Sequence, residues 1–211
     1  VYKRQLLGWP GHTESPHRAF GSIIDLLAEN PPCDLAVVRF QKRREPGHIL
    51  VPTSGGANTH MAIGLAIDQA RQHEARTGEL PVVTLLYVCG PAEAGPEVRA
   101  RGFELLRNLA SGYDIPLEVM VKPADDMVEG IVAESANHDL VVIGATAERL
   151  FDQVRFGTVP ERVALHAPVT VIMIKGYKGP VQTWIRRTFS WLFALGERRR
   201  ARAKEAHTSL G

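Results

Sequence analysis

Residues 139–175 read DLVVIGATAERLFDQVRFGTVPERVALHAPVTVIMIK. The segment opens on an apolar run that stops at glycine, Asp139 to Gly144, and passes through a polar loop to Phe156-Gly157-Thr158. A short helical pattern follows, and a second β-branched run, Val169 to Ile174, closes it before Lys175. A strand ending in glycine, then a loop that enters a helix through Gly-Thr, leaves unpaired backbone N–H groups converging at the helix start. That point suits a phosphate group.

The arrangement occurs twice. Sliding the sequence by 136 positions lays Leu7-Gly8 on Ile143-Gly144, Phe20-Gly21-Ser22 on Phe156-Gly157-Thr158, Pro32 on Pro168, and Cys33 to Val38 on Val169 to Ile174, without a gap. The chain therefore carries an internal repeat of domain length, one copy whole and one cut. The first copy reads Gly8-x2-Gly11-x9-Gly21-Ser22 and the second Gly144-x2-Ala147-x9-Gly157-Thr158. This spacing resembles the ATP-binding signature G-x2-G-x9-G-[S/T] of the universal stress protein family, and both times it sits in the same strand, loop, helix, strand context.

Composition allows a globular protein with a real core: 45% of the 211 residues are hydrophobic, and the net charge of +2 says little about partners. No run approaches the roughly 20 apolar residues that span a bilayer, and no signal-peptide pattern precedes the fold. A soluble, cytoplasmic chain is expected. Cys33 and Cys89 fall in or at the end of apolar runs in different repeats, and read as small buried side chains in a reducing compartment rather than a disulfide. The chain has no initiating Met and starts in mid-strand, which reads as a fragment of something longer. Val1 to Gln5 replace the apolar residues expected before Leu6-Leu7, look like translated cloning or sequencing sequence, and are given no structural weight.

Three domains are expected: 1–44, the C-terminal remnant of a first copy; 45–178, a complete copy; and 179–211, a basic amphipathic tail helix. In the remnant, the strand tip Leu6-Leu7, the loop His12 to Ala19, a helix from Ser22 to about Glu29 and a strand Cys33 to Arg39 follow one another. Ser22 suits an N-cap, and Pro31-Pro32 stops the helix. Residues 48–175 then read βαβαβαβαβ, which predicts an α/β fold: a Rossmann-like open five-stranded parallel sheet, order 3-2-1-4-5, with helices on both faces. The strands are His48 to Pro52, Val82 to Val88, Leu117 to Val121, Leu140 to Ile143 and Val169 to Lys175. The helices cover about Asn58 to Arg76, Pro96 to Leu109 and Asp126 to Asn137, with the fourth starting at Thr158. Met61, Leu65, Ala62 and Ala66 share one face of the first helix, and Val98, Phe103, Leu106 and Leu109 are the apolar members of the second.

In such sheets ligands bind beyond the carboxyl ends of the strands, where the winding reverses. Here that switch lies between the first and fourth strands of the complete copy, so the loops Thr53 to Gly56 and Gly144 to Thr158 face each other. By the family resemblance, Gly144, Ala147, Gly157 and Thr158 hold the phosphates of ATP, AMP or another adenine nucleotide. The end of the first strand (Pro52, Thr53, Ser54) and the backbone at Val88 hold the nucleoside. Two positions depart from the family pattern. Ala147 replaces the second glycine, and Ser54 replaces an Asp that would accept from ribose or base. A structural reading stands beside this one, in which the glycines simply make the turns. Gly8, Gly11, Gly21 and Ser22 fit the signature in full, although the strands that would hold the base are missing from that copy.

The loop Thr53-Ser54-Gly55-Gly56-Ala57-Asn58-Thr59 is also similar to the S-G-G-x-D-S loop of ATP pyrophosphatases, with Asn58 where that motif has Asp. No cysteine pair or catalytic base follows at a matching place, and no nucleophilic Ser or Cys motif appears. Catalytic residues are therefore not assigned, and any ATP hydrolysis is expected to be slow. The histidines show no metal-ligand spacing, so no metal is expected. His138 and His166 read as capping or surface groups, and Glu161-Arg162 as a solvated or interface face.

Cys33 to Val38 and Val169 to Ile174 are uncharged at their centres, and an unprotected edge of that kind is a hazard. The resemblance implies self-pairing through strand five, as a homodimer or within one chain. The expected form here is Leu35 to Val38 antiparallel to Val171 to Ile174, an intramolecular pseudo-dimer. From Gly176 onward eight Lys/Arg stand against two Glu. On a helix, Trp184, Ile185, Thr188, Trp191, Leu192 and Leu195 gather on one side, and the basic run Arg198 to Lys204 follows. Such a tail suits an anionic membrane surface or a transporter domain, or else covers its own domain. No nucleic-acid module is recognised.

Ile49 to Gly56 looks like the first strand of stress-protein modules fused to the cytoplasmic ends of transporters such as cation/proton antiporters and amino-acid permeases. The resemblance thus implies a nucleotide-binding regulatory or sensing module. The alternatives left open are a dimerisation or docking scaffold that binds no nucleotide, and an adenylating enzyme.

Overall fold

The computed structural model of the chain describes residues 4–9, 33–41, 45–90, 95–145 and 159–177. Seven strands are found there: β1 Arg4–Gly8, β2 Asp34–Arg39, β3 His48–Pro52, β4 Val82–Cys89, β5 Leu117–Pro123, β6 Leu140–Gly144 and β7 Thr170–Lys175. Four helices alternate with the later strands: α1 Thr59–Thr77, α2 Pro96–Ala110, α3 Met127–Ser135 and α4 Val159–His166. The expected helix at 22–29 and the tail helix at 179–211 lie outside the described residues.

All seven strands join one sheet in the order β1-β2-β7-β6-β3-β4-β5. Its last five positions are the parallel sheet of the complete copy, in the expected 3-2-1-4-5 winding. The sheet does not end at its fifth strand, however. β7 pairs antiparallel with β2, placing Leu35 opposite Lys175, Val37 opposite Met173 and Arg39 opposite Val171. This is the predicted seam, and it makes the sheet mixed. Val37 and Met173 are 136 positions apart, so each faces its own repeat counterpart, and the pairs on either side exchange under the same offset. A pseudo-two-fold axis therefore passes between them. The register inside each copy repeats as well, with Gly8 opposite Val38 and Gly144 opposite Ile174.

Arg4 and Gln5, set aside from the sequence, belong to β1 and pair with Asp34 and Leu35. Their side chains are exposed, and backbone pairing at a sheet edge does not require apolar residues there.

Two apolar layers sandwich the sheet. Ile49, Val51, Val83, Leu85 and Val142 face α1 and Leu106 of α2. The alternate residues Leu50, Leu86, Val141, Val171 and Met173 face Val128 and Ile131 of α3 and Val163 and Ala164 of α4. The alternation is the period-two geometry of strands covered on both faces. α1 buries Ala62, Ile63, Ala66 and Ala70, and ends at Gly78, whose φ of 82° admits the left-handed cap. On α2, Phe103 is exposed and Leu106 carries the burial. Gly102 is buried on the same helix, where an added Cβ would meet the Tyr87 ring at 2.9 Å.

α3 starts at Asp126, whose carboxylate accepts from the N–H groups of Val128 at 2.7 Å and Glu129 at 3.0 Å. It ends two residues earlier than the apolar pattern predicted, at Ser135. The Asn137 and His138 N–H groups turn back onto the carbonyls of Glu134 and Ser135. Arg39, at the end of β2, reaches the other copy: its Nη1 donates to the carbonyls of Ala164 and Ala167 at the C-terminal end of α4. A cation suits that end of a helix. Cys33 and Cys89 are both free.

Candidate functional site

The carboxyl ends of β3, β4 and β6 come together where the winding reverses, between β3 and β6. These two strands are bridged at Ile49–Leu140 and Leu50–Val141. Pro52, Thr53, Ser54, Val88 and Gly144 all lie at these ends. Ala147, Gly157 and Thr158 lie outside the described residues. In the first copy Gly8 closes β1, while Gly11, Gly21 and Ser22 lie outside the described residues.

The loop after β3 is held by hydroxyl and backbone bonds. Thr53 donates its N–H to the Leu86 carbonyl at 2.8 Å. Its Oγ1 lies 2.8 Å from Oγ1 of Thr59 and accepts the Gly55 N–H at 3.1 Å. These bonds close a local turn at the strand end. Gly55 has φ 82°, and an added Cβ there would stand 3.3 Å from Leu105 Cδ1. The positive φ is what requires glycine here; the Leu105 contact is tight but falls on the end of a flexible side chain. Ser54 is exposed, so its hydroxyl remains accessible to a ligand.

Strand alternation sets the direction of the Val88 backbone groups. The Leu86 carbonyl is taken from the β3 side by Thr53, and the Cys89 carbonyl from the β5 side by Ala124 at 2.9 Å. Backbone groups of alternate residues point the same way along a strand. The Val88 N–H and C=O therefore turn toward the β3 side, at a level where β3 has already ended at Pro52. Val88 thus presents one donor and one acceptor on that line. The Val88 side chain packs on α3, where an added Cβ at Gly130 would meet its Cγ1 at 2.9 Å.

Gly144 serves packing as well as any ligand. A Cβ there would lie 3.0 Å from the carbonyl oxygen of Asn58 and 3.1 Å from its Cβ. The positive-φ glycines of the described residues are Gly55 and Gly78, so close approach rather than φ explains Gly144. Asn58 itself is 5% exposed. The sequence signals it only as the start of a helix, or as the stand-in for an Asp in an adenylating loop.

Asp126 at the head of α3 and Arg162 on α4 face each other, Oδ2 to Nη1 at 3.6 Å. The Glu129 N–H, then the Val128 N–H and Arg162, hold the Asp126 carboxyl below its ordinary range despite some desolvation. Arg162 thus projects from the first turns of α4. Its neighbour Glu161, expected on a solvated or interface face, is buried.

A second polar cluster lies away from this point. Glu134, with its side chain 8% exposed, takes a 2.8 Å ion pair from Lys122 and a 3.2 Å bond from Asn137. Burial pushes its carboxyl up, but the Lys122 and Asn137 hydrogen bonds outweigh burial and leave it lowered. His138 Nδ1 lies 3.0 Å from the Glu134 carbonyl, a capping contact at the end of α3. Among the described residues no group of three or more His, Cys, Asp or Glu side chains could hold a metal ion. No described helix is long and apolar enough to cross a membrane.

The family model "Universal stress protein family" matches residues 46–175. The universal stress protein MJ0531 of Methanocaldococcus jannaschii is 30% identical over 139 residues, covering 60% of this chain and 81% of that protein. A universal stress protein from Archaeoglobus fulgidus superposes with a TM-score of 0.58 at 16% identity, over 83% of this chain and 61% of that one. A universal stress protein solved in complex with cAMP is also similar, at 16% identity and a TM-score of 0.46, over 64% of this chain and all of that one. This chain belongs to the universal stress protein family.

Proposed function

We propose that the complete copy, residues 45–178, is an adenine-nucleotide-binding regulatory module whose ligand is ATP, with AMP as an alternative. Ser54, Thr53 and the Val88 backbone take the nucleoside, and Gly144, Ala147, Gly157 and Thr158 the phosphates. The observation that carries this reading is the Val88 donor and acceptor turned into the switch point beyond the end of β3. The module acts by binding. Asn58, standing where an adenylating loop has Asp, is committed to backbone partners, which counts against pyrophosphatase chemistry.

The antiparallel seam supports an intramolecular pseudo-dimer of the family's edge-pairing kind, because both flanks of β7 are taken within the chain. The sequence of Ile49 to Gly56 and the basic, aromatic run around Trp184, Trp191 and Arg198 to Lys204 support attachment to the cytoplasmic end of a transporter, with the tail on its membrane surface or soluble face.

Isothermal titration of the full chain with ATP, AMP and cAMP tests the reading. Saturable binding of an adenine nucleotide, lost in Gly157→Asp while the melting temperature is kept, is the expected result. Absence of heat with every nucleotide leaves the pairing scaffold as the function.

A further inference from the structure

Asn58 stands immediately before α1, where an asparagine ordinarily caps a helix by accepting from an N–H of the first turn. Its side chain makes no such bond. Both ends of its amide reach far along the sequence instead. Nδ2 donates to the Ala145 carbonyl at 2.6 Å, and Oδ1 accepts the Gly176 N–H at 3.0 Å, across 87 and 118 positions. Ala145 in turn donates its N–H to the Ile174 carbonyl at 2.8 Å. The start of α1, the exit of β6 and the exit of β7 are thereby closed into one hydrogen-bonded ring.

The surroundings are shaped to this side chain. Gly144 leaves room for the Asn58 backbone at 3.0 Å. A Cβ on Gly176 would stand 2.6 Å from Met61 Sδ and 3.2 Å from Asn58 Oδ1. A planar amide offers one donor and one acceptor in fixed relation, and the ring uses both. Aspartate would set an oxygen against the Ala145 carbonyl, and alanine would leave two backbone groups of a part-buried site short of their protein partner.

We infer that Asn58 is the positioning residue of the switch point and its link to the C-terminal exit. It fixes the carbonyl of the residue that follows β6 and, through the same rigid group, the N–H where the chain leaves β7. A ligand at the switch point that engages Ala145 is thereby linked through Asn58 to the Gly176 N–H. The positioning role stands without ligand; the coupling rests on the nucleotide reading given above.

Backbone amide exchange, read residue by residue by NMR on the full 15N-labelled chain with and without ATP, tests both halves. Without nucleotide, Asn58→Ala should exchange the Gly176 amide about tenfold faster than wild type. Asn58→Asp, which keeps an oxygen for that amide, should stay within about threefold. If Asn58→Ala does not fold, Asn58→Gln, with the same groups displaced by one methylene, is expected to show the same loss at Gly176. An unchanged Gly176 rate in the folded variant overturns the positioning role, whatever ATP does. With saturating ATP, Gly176 should slow further in wild type and not in Asn58→Asp. Equal slowing in the two overturns the coupling. A wild-type chain that takes up no ATP overturns the coupling together with the nucleotide reading, while the ligand-free comparison still judges Asn58.

Discussion

Gly144 packs against Asn58 and is also a proposed phosphate position. The glycine could be read from the sequence as a phosphate-binding position, and its contact with Asn58 could not, because the contact joins residues distant in the chain. A Gly144→Ala variant should therefore lose about 1–3 kcal/mol of stability by overpacking alone. Urea unfolding without nucleotide measures it, and an unchanged midpoint would assign the glycine to ligand binding only. Glu134 makes a different prediction. Its carboxyl is lowered in the folded state, so its ionised form contributes stability that is complete above the ordinary carboxylate value of 4.5 and is lost as pH falls through the depressed value. Glu134→Gln should cost about 1–2 kcal/mol at neutral pH, where Lys122 loses its charged partner. The gap to wild type should close progressively below pH 4.5. A gap independent of pH would mean that packing, and not charge, keeps Glu134 there.

The elements were largely legible because alternating apolar runs and helical periods leave few options. β3 is found at the predicted boundaries, and α1 and α2 lie within a residue of theirs. Misreadings fall where the local pattern is overridden: α3 stops at Ser135, with the Asn137 and His138 N–H groups turned back onto Glu134 and Ser135, and Phe103 is exposed although the period places it with the apolar members. Arg4 and Gln5 were discounted because polarity argues against a buried strand but not against an edge. The β2–β7 seam was legible through the internal repeat, the uncharged centres of both edges and the family resemblance together, since pairing two copies of one edge needs no residue-specific signal. Met173 is 4% exposed at the centre of this seam. Met173→Asp should cost about 3–5 kcal/mol, the penalty of an unpaired charge among apolar neighbours. Limited proteolysis should then cut at 41–46 much faster than in wild type. Phe40→Asp, at a side chain 70% exposed, should stay within about 0.5 kcal/mol. Equal tolerance of the two substitutions would mean that the seam contributes nothing to holding the copies together.

Across the described residues, one sheet carries the family domain of 46–175 and joins β1 and β2 to it by the antiparallel seam, and Arg39 at the end of β2 donates to carbonyls at the C-terminal end of α4. The candidate site is built from strand ends that only this winding brings together. Its two departures from the family pattern, Ser54 and Ala147, were visible in sequence. The hydroxyl pair of Thr53 and Thr59 was not, because hydrogen-bond partners in a loop are set by the turn that the glycines permit. The central claim is that an adenine nucleotide binds where β3, β4 and β6 end. An ATP titration followed by 1H-15N correlation spectra of the full chain addresses it most directly. The Val88, Gly55 and Ala145 amides should shift together along one saturable curve. ATP that leaves all three in place, or shifts only signals from the basic run 198–204, would contradict the account.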